Sequence, residues 1–296
     1  MWLLVGGDSQ IGAATSRYAV SMGRSALATT RRVDRVGPTR PLLDLSRPLD
    51  DWLPPAGVEA ACIFAAQARL AACQADPLQS ALINVAQAQA VTQRLLAHGA
   101  QVLFLSTNQV FDGNRPRVPS DAQTSPVSEY GRQKARAEAL LLKLAEQGGQ
   151  IAILRLSKVI SPGMHILHAW LDALSAGKPV RAFRDMMLAP IPMTVAVKGI
   201  TALLADRACG TFQLTGAADV AYADIALHLA KRIGAPAMLV EPVAAASAGM
   251  PTGSTPRNTT LDSATMRDRY GIVVPDIWPI VDAVIEDWRA STMHRM

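Results

Sequence analysis

Short apolar runs alternate along the first half of the chain with longer segments whose apolar positions recur every three or four residues. The runs are WLLV from Trp2, SALATT from Ser25, ACIFAA from Ala61, QVLFLS from Gln101 and IAILRL from Ile151, with a weaker one, PLLDL, from Pro41. Each is bounded by turn residues and lacks a polar face, as strands buried in a parallel sheet do. The segments between them, such as QSALINVAQAQAVTQRLLAHG ending on Gly99, read as amphipathic helices closed by a glycine. Strands alternating with helices predict an α/β fold, a Rossmann-type doubly wound parallel sheet. After residue 160 the pattern loosens around proline- and glycine-rich connections at 161–163, 190–192 and 251–256. The expected division is residues 1–160 as the sheet domain, with a returning segment near 193–215. Residues 161–192 and 216–296 then form a smaller C-terminal α/β lobe. The stretch AAASAGMPTGSTP from Ala244 reads as an irregular loop or linker.

Composition adds limits. Half of the 296 residues are apolar, an ordinary globular content. The net charge is +5, but the basic residues are scattered and carry no interleaved aromatics, which argues against a nucleic-acid partner and suits small anionic ligands. No apolar stretch is long enough to span a membrane, and MWLLVGG shows no basic leader or cleavage signal, so a soluble cytoplasmic protein is expected. Cys62, Cys73 and Cys209 are odd in number and widely spaced, and read as reduced buried thiols.

Candidate chemistry begins at VGGDSQIG, which follows the first strand and opens the first helix, where a dinucleotide-binding turn belongs. Gly6 provides a tight turn and Gly12 close helix packing. Ser9 stands at the middle glycine of the fingerprint and, with Gln10 and Ile11, leads into the helix. The second strand ends in TTRR, so Arg31 and Arg32, with Arg35 behind, replace the acidic residue that usually meets the ribose of NAD. Guanidinium groups suit a 2'-phosphate, and NADP(H) is the expected cofactor. Residues 1–160 are then the dinucleotide-binding domain and the second lobe binds substrate. Further along, SEYGRQKARAEALL places Tyr130 and Lys134 one turn apart on a helix face. A cation beside a phenol lowers its pKa and fits it for proton transfer at a carbonyl or alcohol.

FLSTNQVFDG, ending on Gly113, precedes that helix. Here the chain resembles the extended short-chain dehydrogenase/reductase superfamily, and within it dTDP-4-dehydrorhamnose reductases. Their Ser-Thr-Asp-Tyr-Val-Phe-Asp-Gly run is matched except at Asn108 and Gln109. EYGRQKARAE, ALINV with Asn84, ILRLSKVI, GTFQLTG and PRNTTLD extend the similarity along nearly the whole chain. The resemblance implies that Thr107 hydrogen-bonds a substrate carbonyl and Tyr130 protonates it. Lys134 would hold the nicotinamide ribose and depress the tyrosine pKa. It also places Asp44, Leu45, Ala65, Ala66 and Asn84 at the cofactor, and Asn108, Gln109, Lys158 and Arg257 at the substrate. The implied activity is NADPH-dependent reduction of a keto group on a nucleotide-linked sugar, in the biosynthesis of a surface polysaccharide or glycosylated metabolite. A homodimer is compatible with it.

The amides Asn108 and Gln109 cannot exchange protons as the Asp-Glu pair of sister dehydratases does, which argues against dehydration. Lys158 stands where the reductases often carry tryptophan. Thr255 replaces an arginine before a proline, with Arg257 following. Two other readings stay open at this point: a non-catalytic NADP-binding regulatory subunit, and a sugar-nucleotide epimerase with tightly bound NAD. The intact Thr107, Tyr130 and Lys134 count against the first, and Arg31 and Arg32 against the second. His165, His168 and Asp172 share a helix face but no metal is expected. Arg115, Arg117, Arg181 and Arg184 are candidates for a substrate diphosphate. Trp278 and Trp288 are expected to pack a last helix against the second lobe.

Overall fold

The structure is a computed structural model describing residues 1–161, 163–250 and 255–293; Pro162 and residues 251–254 of the predicted connections lie outside it. Six parallel strands form the central sheet. They are β1 (Trp2–Val5), β2 (Ala26–Ala28), β3 (Ala60–Ile63), β4 (Gln101–Thr107), β5 (Ile151–Leu156) and a last strand, Gly210–Leu214. The last strand pairs with β5, and the order continues β4, β3, β1, β2. Every residue of β1, β3, β4 and β5 is buried, which explains why these runs lack polar alternation.

PLLDL is not a strand. It runs beside β2, with Thr30 donating to the Pro41 carbonyl and Leu43 to that of Thr30, but forms only one bridge, between Thr30 and Leu42. Pro41 has no N–H to extend the ladder. The segment still lies where the outermost strand of a six-strand dinucleotide-binding sheet belongs.

Two cores sandwich the sheet. One face is covered by α1 (Gln10–Ser21) and α7 (Met193–Ala205), where Ala19, Ile200, Leu203 and Leu204 meet Leu4, Cys62 and Leu103. The other is covered by α4 (Ala88–Ala97) and α5 (Glu129–Glu146), with Val91, Leu95, Ala137 and Leu141 against Leu3, Ile63 and Phe104. A third core unites α6 (His165–Ser175), α8 (Tyr222–Ile233) and α10 (Ile277–Met293) with the parallel pair Val180–Phe183 and Val240–Val243. Trp278 and Trp288 pack at its edge, Trp278 stacked on His228. Residues 245–248 form a short 3-10 turn within the expected loop. Cys62 and Cys73 are buried free thiols, but Cys209 is exposed: it opens the turn into the last strand rather than sitting in the core. Among the described residues, no helix is long and apolar enough to cross a membrane.

Candidate active site

A cavity of about 860 Å³ opens at the C-terminal ends of the strands, between the sheet and the second lobe. Ser9, Gln10 and Ile11 line it from the first turn, Thr107 from β4, and Tyr130 and Lys134 from α5. Ala66, Asn108, Gln109 and Lys158 line it as well.

The first turn is shaped by close approach. Gly6 has φ +88°, and a Cβ there would lie 2.7 Å from the Ala65 nitrogen, so the loop after β3 sits directly against it. Ser9 is the N-cap of α1, its hydroxyl accepting from the Gly12 N–H at 3.0 Å. This cap is the use of Ser9 that a glycine fingerprint does not anticipate. The helix N-terminus supplies N–H groups and a positive dipole end to an anion.

At the end of β2 the charges are more mixed than TTRR implies. Arg31 and Arg32 are exposed, and Arg32 is paired with Asp34 at 3.3 Å. Asp8, from the glycine turn, accepts from the Thr30 hydroxyl at 2.6 Å and is ion-paired with Arg40, with Arg35 at 3.7 Å. Burial pushes the Asp44 carboxyl up, but hydrogen bonds from Ser46 and the charges of Arg47 and Arg31 outweigh it and hold it below the usual range. Leu45 is a core residue.

Thr107 closes β4 and caps the 3-10 turn Asn108–Val110, its Oγ1 accepting from the Gln109 N–H at 3.2 Å. The neighbouring Ser106 Oγ is buried and has no hydrogen-bond partner among the described residues, and Ser106 also lines the cavity. α5 starts at Ser128, whose hydroxyl accepts from the Gly131 N–H and donates to Gln109 Oε1, both at 3.0 Å. Gln109 thus tethers the helix start. A Cβ on Gly131 would fall 2.2 Å from the Gln109 carbonyl, so only glycine lets α5 bring Tyr130 this near the end of β4.

Lys134 is 2% exposed, its Nζ donating to the Leu105 carbonyl at 2.5 Å and lying 3.7 Å from the centre of the Phe104 ring. Burial pulls its pKa down from 10.5 to about 7, against the opposing pull of Glu138 and Cys62. The Tyr130 hydroxyl makes no hydrogen bond among the described residues, and burial pushes the phenol well above its usual value, with Cys73 adding to the rise. The expectation that Lys134 depresses the Tyr130 pKa is therefore not met. In this arrangement desolvation outweighs the lysine, whose ammonium is turned to Leu105 and Phe104. The result is a phenol that keeps its proton at neutral pH, the form a proton donor needs.

Several expected residues stand elsewhere. Asn84 is buried and bonds Gln67 and Gln133 rather than lining the cavity. Arg257 is exposed outside it, although its neighbours Pro256 and Asn258 line the wall. Arg115, Arg117, Arg181 and Arg184 do not line it. Trp288 Nε1 donates to Asp172 at 2.7 Å and His168 faces Asp287 at 3.3 Å; among the described residues no cluster suits a metal ion. Conversely, Arg69, Met186, Met187, Met193 and Tyr222 line the cavity unforeseen. They come from separated segments that share no local pattern, so only the folded chain brings them together.

The chain is similar in sequence and fold to known proteins. Relatives include a dTDP-4-keto-6-deoxy-D-glucose reductase of Streptomyces niveus, 25% identical over 94% of this chain and 89% of its own length. A dTDP-4-dehydrorhamnose reductase of Burkholderia thailandensis is 25% identical over 93% and 94% respectively. Among solved structures, a dTDP-4-dehydrorhamnose reductase of Clostridium acetobutylicum superposes with a TM-score of 0.80 at 17% identity, covering 100% of this chain and 99% of that one. One from Bacillus anthracis, in complex with NADP, gives 0.79 at 15% identity, covering 98% of each. The family described as RmlD substrate binding domain matches residues 1–290, and the chain belongs to it.

Proposed function

We propose that this protein reduces a keto group on a nucleotide-linked sugar with NADPH, using Thr107, Tyr130 and Lys134. The observation that carries this is the meeting of all three side chains with the first glycine turn in one cavity. The relatives named above are reductases of dTDP-linked keto sugars, which supports the same substrate class here.

The residues present fit a nicotinamide dinucleotide. The α1 N-terminus, capped by Ser9 and lining the cavity through Ser9, Gln10 and Ile11, suits a pyrophosphate, and the orphaned Ser106 hydroxyl offers a polar partner inside the cavity. Arg31 and Arg32 would hold the adenosine 2'-phosphate, with Arg35 and Arg40 adjacent. When bound, the reduced cofactor supplies a hydride to the carbonyl carbon. Thr107 then orients the carbonyl oxygen by hydrogen bonding, and Tyr130 gives that oxygen its proton. Lys134, which lines the same cavity, would hold the nicotinamide ribose. Asn108 and Gln109 flank the sugar as neutral amides, so the site lacks the carboxylate pair needed to eliminate water. The lobe formed by 161–192 and 216–296 receives the nucleotide sugar above a sheet domain of 1–160 with 193–215.

The test is NADPH oxidation with a panel of dTDP- and UDP-linked 4-keto sugars. Oxidation with at least one member, giving the corresponding hydroxy sugar, supports the reading. Tight NADPH binding with no oxidation by any member sinks it in favour of a non-catalytic role.

A further inference from the structure

Between Tyr130 and Lys134 on α5 lies Gln133, only 3% exposed and engaged at every polar atom. Its Oε1 accepts from Asn84 Nδ2 at 2.8 Å. Its Nε2 faces Ser80 Oγ at 2.8 Å, Glu129 Oε1 at 3.0 Å and the Pro77 carbonyl at 3.2 Å, three acceptors for two hydrogens. Asn84 in turn clamps one residue of the loop after β3: Oδ1 accepts from the Gln67 N–H at 2.8 Å and Nδ2 donates to the Gln67 carbonyl at 3.0 Å. Asn84 sits in a π-helical segment, Leu82–Gln87, between α3 (Pro77–Ala81) and α4. Such a widened turn shifts side chains from the register of a regular helix, and here it serves two buried amides at once.

The chain of bonds therefore ties together the helix that carries the phenol and ammonium, the π segment, and the loop whose Ala66, Ala68 and Arg69 line the cavity. We propose that Gln133 is a positioning residue that, through Asn84 and Gln67, fixes Tyr130 and Lys134 against the cofactor-facing loop after β3. The proposal rests on the reading of Tyr130 and Lys134 as the reacting pair. Its force comes from distance tolerance, since a misplacement of about 1 Å costs on the order of a hundredfold in rate. Gln133 itself does not line the cavity.

The experiment uses Gln133→Met and Gln133→Glu in the full chain, with NADPH and dTDP-4-dehydrorhamnose as probes. Methionine keeps the volume and removes every hydrogen bond; glutamate keeps an acceptor for Asn84. In Gln133→Met the turnover per NADPH-binding site should fall about tenfold or more with both KM values within about twofold, and exchange of the Gln67 amide should accelerate about tenfold. Gln133→Glu should approach the wild-type rate and Gln67 protection only at low pH, where its carboxyl is protonated and can still donate, because an ionised carboxylate would stand against Glu129 Oε1. The proposal is overturned by a Gln133→Met protein with wild-type turnover per site. It is equally overturned by a loss that tracks only the number of binding-competent molecules, or by unchanged Gln67 exchange. A wild type that turns over no keto sugar sinks the functional reading instead, and Gln67 exchange then decides the linkage alone.

Discussion

A lysine ammonium enclosed by Phe104, Leu105 and Cys62 stays charged at neutral pH only in part, because burial brings its pKa to about 7. The folded value lies below the ordinary 10.5, so between those pH values the unfolded chain binds a proton that the native protein does not. Stability therefore rises with pH across that window, and the full penalty is present below it. Lys134→Met should stabilise the fold by up to roughly 4 kcal/mol at pH 6, and the gain should fade toward pH 10. Thermal unfolding at the two pH values checks this; an equal gain at both contradicts it. At the end of β2, where the proposed 2'-phosphate contact lies, Arg31→Ala/Arg32→Ala should lose about 1.4 kcal/mol or more of NADPH preference over NADH, a factor of about ten in the ratio of dissociation constants. Fluorescence titration reads it directly. The doubled arginine was legible in the sequence because it follows a strand end. The partners of that neighbourhood were not: Asp8 reaches Thr30 and Arg40 across the turn, and Asp34 occupies Arg32.

At the scale of elements, α5 is held on its inner side by a buried ion pair. Glu138 and Arg155 meet at 2.8 Å, both under 5% exposed, and Arg155 also donates to the Ser120 carbonyl and Gln213 while lying over the Phe111 ring. Removing one partner strands a charge in the core. Glu138→Ala should cost about 3–5 kcal/mol in denaturant unfolding, whereas Glu138→Leu/Arg155→Met should cost much less. Equal losses in the single and double variants would contradict this account. The strands of the sheet were legible because central parallel strands are apolar on both faces. PLLDL misled because its composition is strand-like while Pro41 and a single bridge leave it irregular. The π segment around Asn84 and the contact of Gly131 with Gln109 left no trace in periodicity, since both depend on which elements face each other.

Over the whole molecule, Thr107, Tyr130 and Lys134 reach the cavity from the central sheet and its flanking helix, and part of the opposite wall comes from Met186, Met187 and Tyr222. That Thr107, Tyr130 and Lys134 share one cavity could be anticipated because Thr107 ends a strand and the other two lie one turn apart on a helix. The lobe-side wall could not, because it is assembled from segments far apart in the chain. The electrostatics differed too: the sequence pairs Lys134 with Tyr130, but folding buries Lys134 and partly buries Tyr130, and desolvation moves both away from their ordinary values. A phenol that holds its proton at neutral pH suits the proton-donor role proposed for Tyr130 in reduction. The central claim is tested most directly by NADPH oxidation with dTDP-4-dehydrorhamnose, comparing the wild type with Tyr130→Phe at saturating NADPH. The account predicts that Tyr130→Phe binds NADPH as the wild type does while its turnover falls by about a hundredfold or more. Turnover within a few fold of wild type would show that the proton comes from elsewhere and would contradict the account.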